Sequence, residues 1–273
     1  MSSPTRGSIE ALGSPLGRVV EVHEELGSTQ ERARELARSG TPHGTLVVAG
    51  VQTGGRGRLG RLWGSPAGGL WMSLVLRPDL DASLAPRVTQ AAAVGVAKAL
   101  WSLGVEARIK WPNDLLVAGR KVCGILAESG AKYAAGEHTQ PTVTRRLDYV
   151  VLGVGMNANL DPADLAVPDR EVTTVRSELG RDVDLLELLH ALLFNLDAEL
   201  RRIRDFAAVL VDWRALNCTL GERVRVTRLG ETVEGRAVDL SPEGALLLET
   251  PCGTLEVFEG EIEHLRHGTT GEA

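Results

Sequence analysis

A mixed α/β domain (α+β in its segment order) followed by a small all-β barrel is the fold class this sequence predicts. Two patterns carry that prediction. From Val20 to Asn217, β-branched apolar runs alternate with stretches of helical period. After Asn217, short strand-like segments recur at close and regular spacing. A length of 273 residues agrees, being enough for one large domain and one small one.

Taken in order, residues 1–17 are rich in Ser, Pro and Gly and read as a flexible N-terminal tail. Gly27-Ser28-Thr29-Gln30-Glu31 opens a helix, with Ser28 as N-cap, Glu31 completing a capping box and Gly40 as the stop. Thr45 to Val51 and Leu70 to Leu76 are buried strands, joined by a loop rich in glycine and arginine. Pro86 to Leu103 is a helix, with proline in its first turn and Gly104 behind it. Arg108 to Trp111, Leu115 to Val117 and Val122 to Glu128 form a meander of short strands, and residues 130–147 read as a loop. Tyr149 to Val154 is a buried strand. Asp184 to Phe206 is a helix, in which Leu185, Leu189, Leu192, Leu196 and Leu200 keep the helical period. Four strands then follow: Arg223 to Arg228, Thr232 to Asp239, Ala245 to Glu249 and Thr254 to Phe258. The division is 18–217 for the mixed domain, 218–267 for an SH3-like barrel, and 268–273 for a tail.

Composition excludes several classes. Apolar residues make up 43% and charged ones 24%, so the chain is neither disordered nor a disulfide scaffold. The net charge of -6 argues against a broad nucleic-acid-coating surface. Cys123, Cys218 and Cys252 form no C-x-x-C pair, which signals neither zinc nor a disulfide framework. No stretch reaches the ~20 apolar residues of a membrane span, and no secretory leader is visible, so the expectation is a cytoplasmic protein with no membrane partner. Only four of the 30 basic residues are lysine: Lys98, Lys110, Lys121 and Lys132. In such a chain a retained lysine marks a place where an ammonium is wanted.

Three segments carry chemistry. From Leu36 to Pro78 there is no acidic residue, while Arg56, Arg58 and Arg61 cluster among Gly54, Gly55, Gly57 and Gly60. Glycines let backbone approach a ligand, and arginine forks bind carboxylate or phosphate, so the loop wraps an anion. The Gly55-x-Gly57-x-x-Gly60 spacing matches a dinucleotide fingerprint, but Gly64, Pro66, Gly68 and Gly69 forbid the helix that fingerprint needs. In the second segment, Lys110-Trp111-Pro112-Asn113-Asp114, Lys110 ends a strand beside Asn and Asp. Alternation puts it on the face of Arg108, opposite Ile109 and Trp111. The third, Gly153-Val154-Gly155-Met156-Asn157, ends a buried strand with paired glycines. It suits close backbone approach and amide readout, or alternatively a plain turn.

Together with Gly27-Ser28-Thr29 and Lys121-Val122-Cys123-Gly124-Ile125-Leu126, these segments stand in the order seen in biotin protein ligases (biotin–acetyl-CoA-carboxylase ligases). The chain resembles that family from Val22 to Arg266. The resemblance implies a catalytic domain related to class II aminoacyl-tRNA synthetases, then an SH3-like barrel. It implies that ATP and biotin, with Mg²⁺, give biotinyl-5′-AMP, and that the biotinyl group passes to one lysine of a biotin carboxyl carrier protein.

By the same resemblance Ser28, Thr29, Gln30 and Gln52 would hold the biotin ring. Arg56, Gly57 and Arg58 would wrap the biotin carboxylate and the adenylate phosphate, and Arg58 and Lys110 would be catalytic. Trp63, Lys121 and Asn157 would lie on the nucleotide side, and no residue is assigned to the metal. Gln30 departs from the Asn common there, and Leu59 and Leu62 replace positions that are often basic. About twenty residues precede the catalytic part, too few for a helix-turn-helix, so no DNA partner and no repressor function are expected. A homodimer is one option for the assembly. The rival readings are a lipoate ligase or octanoyltransferase, and an RNA-binding Arg-Gly module.

Overall fold

The structure is a computed structural model that describes residues 4–133, 145–165, 171–228 and 230–265. Its centre is a seven-stranded mixed sheet in the order β1-β2-β3-β7-β6-β5-β4. The strands are β1 (Val20–Leu26), β2 (Thr45–Gln52), β3 (Leu70–Leu76), β4 (Arg108–Lys110), β5 (Asp114–Val117), β6 (Arg120–Tyr133) and β7 (Arg145–Met156). Among the described strands of this sheet, only β1 and β2 pair in parallel. Helix α1 (Arg6–Glu10) precedes the sheet, and α2 (Thr29–Arg38) crosses from β1 to β2.

The two faces of the sheet have different cover. Leu46, Met72, Leu74, Leu152 and Val154 point to a continuous core shared with α3 (Pro86–Ser102), α5 (Leu185–Arg201) and α6 (Phe206–Leu216). On the opposite face α2 covers only Val47, Val75 and Val151, using Ala33 and Ala37. Small residues on α2 let it lie close, but at ten residues it is too short to cover the face. The uncovered part is where the glycine–arginine loop lies. A five-residue helix α4 (Val175–Leu179) sits between β7 and α5.

The C-terminal unit is a five-stranded antiparallel sheet in the order β11-β10-β9-β8-β12. Its strands are β8 (Arg223–Arg228), β9 (Glu231–Leu240), β10 (Leu246–Thr250), β11 (Gly253–Val257) and β12 (Glu261–His264). It is fastened to the larger domain. The Trp111 N–H donates to Thr219 Oγ1 (3.0 Å), and Arg214 bonds Asp239 through two nitrogens (2.7 and 2.9 Å).

Several expectations need correction. The segment expected to be a loose tail is packed from Pro4 on: Ile9 and Leu16 are buried in the main core. Isolated apolar residues in a polar stretch show no period, yet each fills a hole in the tertiary structure. The capping box is half made: Ser28 accepts from the Glu31 N–H at 3.4 Å, but the Glu31 carboxylate turns outward to Arg56. The loop expected over 130–147 is narrower, because β6 runs to Tyr133 and β7 starts at Arg145, held by cross-strand pairing rather than by local pattern. Residues 134–144 and the tail 268–273 lie outside the described residues. The helix starting at Asp184 stops at Arg201, and α6 and β12 were not anticipated.

Candidate active site

Register assembles the site. Lys110 pairs with Asp114, Asp114 with Gly124, Gly124 with Gly155 and Gly155 with Trp71, so these five residues form one row across the sheet. Directly opposed residues in antiparallel strands share a face. The row therefore runs from a lysine and an aspartate, over two glycines, to a buried tryptophan. The glycines leave a bare strip of backbone.

Trp63 lies on that strip. A Cβ at Gly155 would come within 2.6 Å of its indole nitrogen, and one at Gly124 within 3.0 Å of its ring. Only glycine admits an aromatic ring this close to the sheet. The Lys121 ammonium stands 4.8 Å from the Trp63 ring centroid and 2.6 Å from Asp114 Oδ1. Trp63 Nε1 is buried without a partner. Such an orphaned donor costs on the order of 1–3 kcal/mol, so this indole position is one that a ligand can readily improve.

The loop above is a tight ribbon. Gln52 bridges to Ser65 and Arg56 to Leu62, and the Gly57 N–H donates to the Arg61 carbonyl (2.8 Å). Its three arginines each have a protein partner. Arg56 meets Glu31 of α2 (3.1 Å), and Arg61 meets Glu261 of β12. Arg58 donates from Nη1 to Asn113 Oδ1 and to the Gly260 carbonyl, both at 3.2 Å. Burial lowers the Arg58 pKa, against the opposing pull of Asp114 and Glu259. Arginine stays protonated under any such shift. The loop thus holds a partly desolvated, permanent cation over the junction of the two domains. A cleft opens there, lined by Arg58, Asn113, Gln90, Phe258 and Glu259 among others.

At the other end of the strip lies a neutral polar cluster. Ser28, Thr29 and Gln30 at the start of α2 are all buried. The Thr29 N–H and Oγ1 both approach Gln52 Oε1 (2.8 and 3.0 Å), and Gln52 Nε2 donates to Ser65 Oγ (2.8 Å). Gln30 Nε2 donates to Glu128 (2.9 Å) and to the Val151 carbonyl (3.1 Å).

Most residues singled out from the sequence converge here: Ser28, Thr29, Gln30, Gln52, Arg56, Gly57, Arg58, Trp63 and Lys121. Lys110 stands at the rim, on the ligand face by register, and its positive charge also reaches Cys218 and His264 on the barrel side. Burial pushes the Cys218 thiol up to about 11, and burial, then Lys110, lowers His264. Asn157 stands apart. Its side-chain amide donates to the Thr173 (3.1 Å) and Lys121 (3.4 Å) carbonyls, so it secures the backbone beside the site.

Sequence reasoning assigns no role to Ser73, Glu128 or Gly260, and gives Asn113 and Asp114 only a place in the Lys110–Asp114 run. Ser73 carried a signal, a polar residue amid the apolar run Leu70 to Leu76. Among the described residues no group of three or more His, Cys, Asp or Glu is placed to hold a metal, and no helix is long and apolar enough to cross a membrane.

The chain is similar in sequence and fold to known proteins. The profile of the biotin/lipoate A/B protein ligase family matches residues 23–157, and that of the biotin protein ligase C-terminal domain matches residues 219–265. The bifunctional ligase/repressor BirA of Bacillus subtilis is 36% identical over 256 residues, covering 91% of this chain and 74% of that protein. The biotin–[acetyl-CoA-carboxylase] ligase of Mycobacterium tuberculosis is 32% identical over 267 residues, covering 94% and 93%. Among solved structures, the biotin protein ligase from Aquifex aeolicus in complex with biotin and ATP superposes with a TM-score of 0.72 at 28% identity, covering 92% of this chain and all of that one.

Proposed function

The chain belongs to the biotin protein ligases, and from that premise we propose how its own residues carry the reaction. The protein is an ATP-dependent ligase that activates biotin as biotinyl-5′-AMP and transfers it to a lysine of a biotin carboxyl carrier protein. In the first step a carboxylate oxygen of biotin bonds to the α-phosphorus of ATP, and pyrophosphate leaves. In the second the lysine nitrogen bonds to the acyl carbon, loses a proton, and AMP leaves.

One observation carries the assignment of roles: the glycine strip joins a neutral hydrogen-bonding end to a cationic end. Biotin has the same polarity, with a cyclic urea at one end and a carboxylate at the other. Thr29 and Gln52 hold the urea, with Ser28 and Gln30 packed beside them. Arg56 and Gly57 cover the chain between, and Trp63 moves from the strip to cover the bound ligand. Arg58 and Lys121 converge where carboxylate and α-phosphate meet, two anions that repel until cations offset them. Lys110 adds charge from the rim of the site. A fixed fork suits the phosphate held through both steps, and a point charge suits the centre whose charge shifts.

Mg²⁺ accompanying ATP would offset phosphate charge, and among the described residues no cluster of His, Cys, Asp or Glu is placed to hold it. The reading is of a cytoplasmic enzyme that draws on the ATP supply there. Residues 18–217 form the catalytic domain and 218–267 the SH3-like domain that closes one side of the site.

The test is incubation with ATP, labelled biotin and a carrier domain. Label in amide linkage on one carrier lysine is the expected result. ATP–pyrophosphate exchange that responds to lipoate and not to biotin would overturn the reading in favour of a lipoate ligase.

A further inference from the structure

Two amide oxygens at the urea end face each other across two hydroxyls. Gln52 is oriented by its partners, since its Oε1 accepts the Thr29 backbone N–H and its Nε2 donates to Ser65 Oγ. Gln30 is oriented too, since its Nε2 must face the Glu128 carboxylate and the Val151 carbonyl. Its Oε1 then faces Ser73 Oγ at 3.2 Å. Between the two amides stand Thr29 Oγ1, 3.0 Å from Gln52 Oε1, and Ser73 Oγ, 2.9 Å from Thr29 Oγ1.

The chain Gln52–Thr29–Ser73–Gln30 therefore has three oxygen–oxygen contacts and two hydroxyl protons to serve them. An amide oxygen supplies none, and each hydroxyl supplies one. Whichever way the hydroxyls turn, one contact is left with lone pair facing lone pair. Ser73 is fully buried and Thr29 nearly so, so bulk water does not readily fill the deficit, and an unmet contact of this kind is costly.

We propose that Ser73 is a specificity-determining residue that tunes this end of the site to a ligand bringing an N–H donor. The inference rests on the reading of Thr29 and Gln52 as the urea-binding pair. When Ser73 donates to Gln30, Thr29 turns its proton to Ser73. Thr29 Oγ1 and Gln52 Oε1 are then both acceptors, and a urea N–H supplies the missing proton between them. A carboxylic acid with no such donor leaves the deficit in place. Ser73 need not touch the ligand. It acts by fixing the direction in which the Thr29 hydroxyl points.

Two changes restore the balance. Ser73→Ala leaves one contact and one proton, and Gln30→Met leaves two contacts and two protons. Pyrophosphate exchange would be measured with biotin and with its cyclic carbamate analogues, in which one urea N–H or the other is replaced by oxygen. The wild type is expected to prefer biotin over the discriminating analogue by about 100-fold in kcat/KM, the factor expected when a buried polar group is left unpaired. In both variants that ratio falls below about 10, with KM for ATP unchanged. A merely structural role would weaken both ligands equally and keep the ratio, which would overturn the proposal. If Ser73→Ala does not fold, Gln30→Met decides on the same criterion. A wild-type enzyme that shows no exchange with biotin at all would instead reject the underlying function.

Discussion

Arg58 of the glycine loop donates to the Gly260 carbonyl of the C-terminal sheet at 3.2 Å, across 202 positions of sequence. The same nitrogen meets Asn113 at 3.2 Å, so one guanidinium ties together the loop, the β4–β5 turn and the barrel. A neutral carbonyl is a weak partner for a partly desolvated cation, and a phosphate is a stronger one. The adenylate is therefore expected to take Arg58 as its own partner.

Arg58→Gly should consequently leave an enzyme that forms biotinyl-5′-AMP but lets it go. A charge-assisted bond of about 1.5–3 kcal/mol corresponds to release faster by roughly 10- to 100-fold. Trapping labelled adenylate on the enzyme and following its dissociation checks this. Release at the wild-type rate would remove Arg58 from the phosphate. Arg58→Lys should rescue poorly, because an ammonium cannot serve Asn113 and a phosphate with a planar fork.

The lysines separate by role. Lys121→Ala removes the cation nearest the reacting centre and strands Asp114, a mostly buried carboxylate 2.6 Å from it. Adenylation should fall by about 100-fold or more. Lys110→Ala, at the rim, should slow it clearly but less. Lys98 is a different case. Its ammonium lies 2.7 Å from both Glu199 and Asp212, and Arg202 braces the same two carboxylates. Glu199 is almost fully buried. Lys98→Ala should cost about 2 kcal/mol of stability, discounted from a fully buried pair for its partial exposure. Its adenylation rate per folded molecule should be unchanged. Single-turnover rates beside urea melts distinguish the three, and equal effects on adenylation would discard the assignment.

How much of this was legible in the chain follows from where each signal resides. The loop from Gly54 to Arg61 and the Lys110–Asp114 run are local: unusual residues stand side by side, and their chemistry can be read directly. Lys121 was visible because lysine is scarce. Ser73 was visible only as an oddity in an apolar strand, since its meaning depends on Thr29 and Gln30 of another element. The partners of Arg58 and Arg61 in Gly260 and Glu261 were not legible, because nothing local marks a carbonyl that tertiary folding brings across the molecule. Asn157, whose position after paired glycines suits ligand readout, places its amide donors on the Lys121 and Thr173 carbonyls, partners that no local pattern marks. Ile9 and Leu16 escaped notice because a single buried residue has no period.

His264 makes the docking of the barrel sensitive to acid. Burial, reinforced by Lys110 and opposed by Glu222, lowers its pKa from the ordinary 6.5, and its Nε2 has no partner. In the unfolded chain the imidazole takes up a proton near pH 6.5, while in the folded protein it resists. The unfolded state then binds more protons, so stability falls as pH drops below 6.5 and stops falling once the folded pKa is passed. His264→Gln removes this contribution. The variant should lose less stability than the wild type between pH 7.5 and pH 5, read as the change in urea midpoint. A parallel loss in both proteins would show that His264 does not report the docking.

Self-modification follows from the same lysines. Biotinyl-5′-AMP acylates unprotonated amines, and an ammonium held by carboxylates is a poor nucleophile. Lys98 is held by Glu199 and Asp212, and Lys121 by Asp114. With ATP and biotin but no carrier, the enzyme should therefore gain well below one biotin per chain by intact mass spectrometry. Leu62 offers the converse test. It is 88% exposed and sits next to Trp63, over the site. Leu62→Lys would place an unpaired amine beside the adenylate, where proximity raises its effective concentration. This variant should biotinylate itself at residue 62, and adding a carrier domain should suppress the reaction by consuming the adenylate. Equal labelling of the wild type and the variant would mean that adenylate reacts after release, with no advantage from the site.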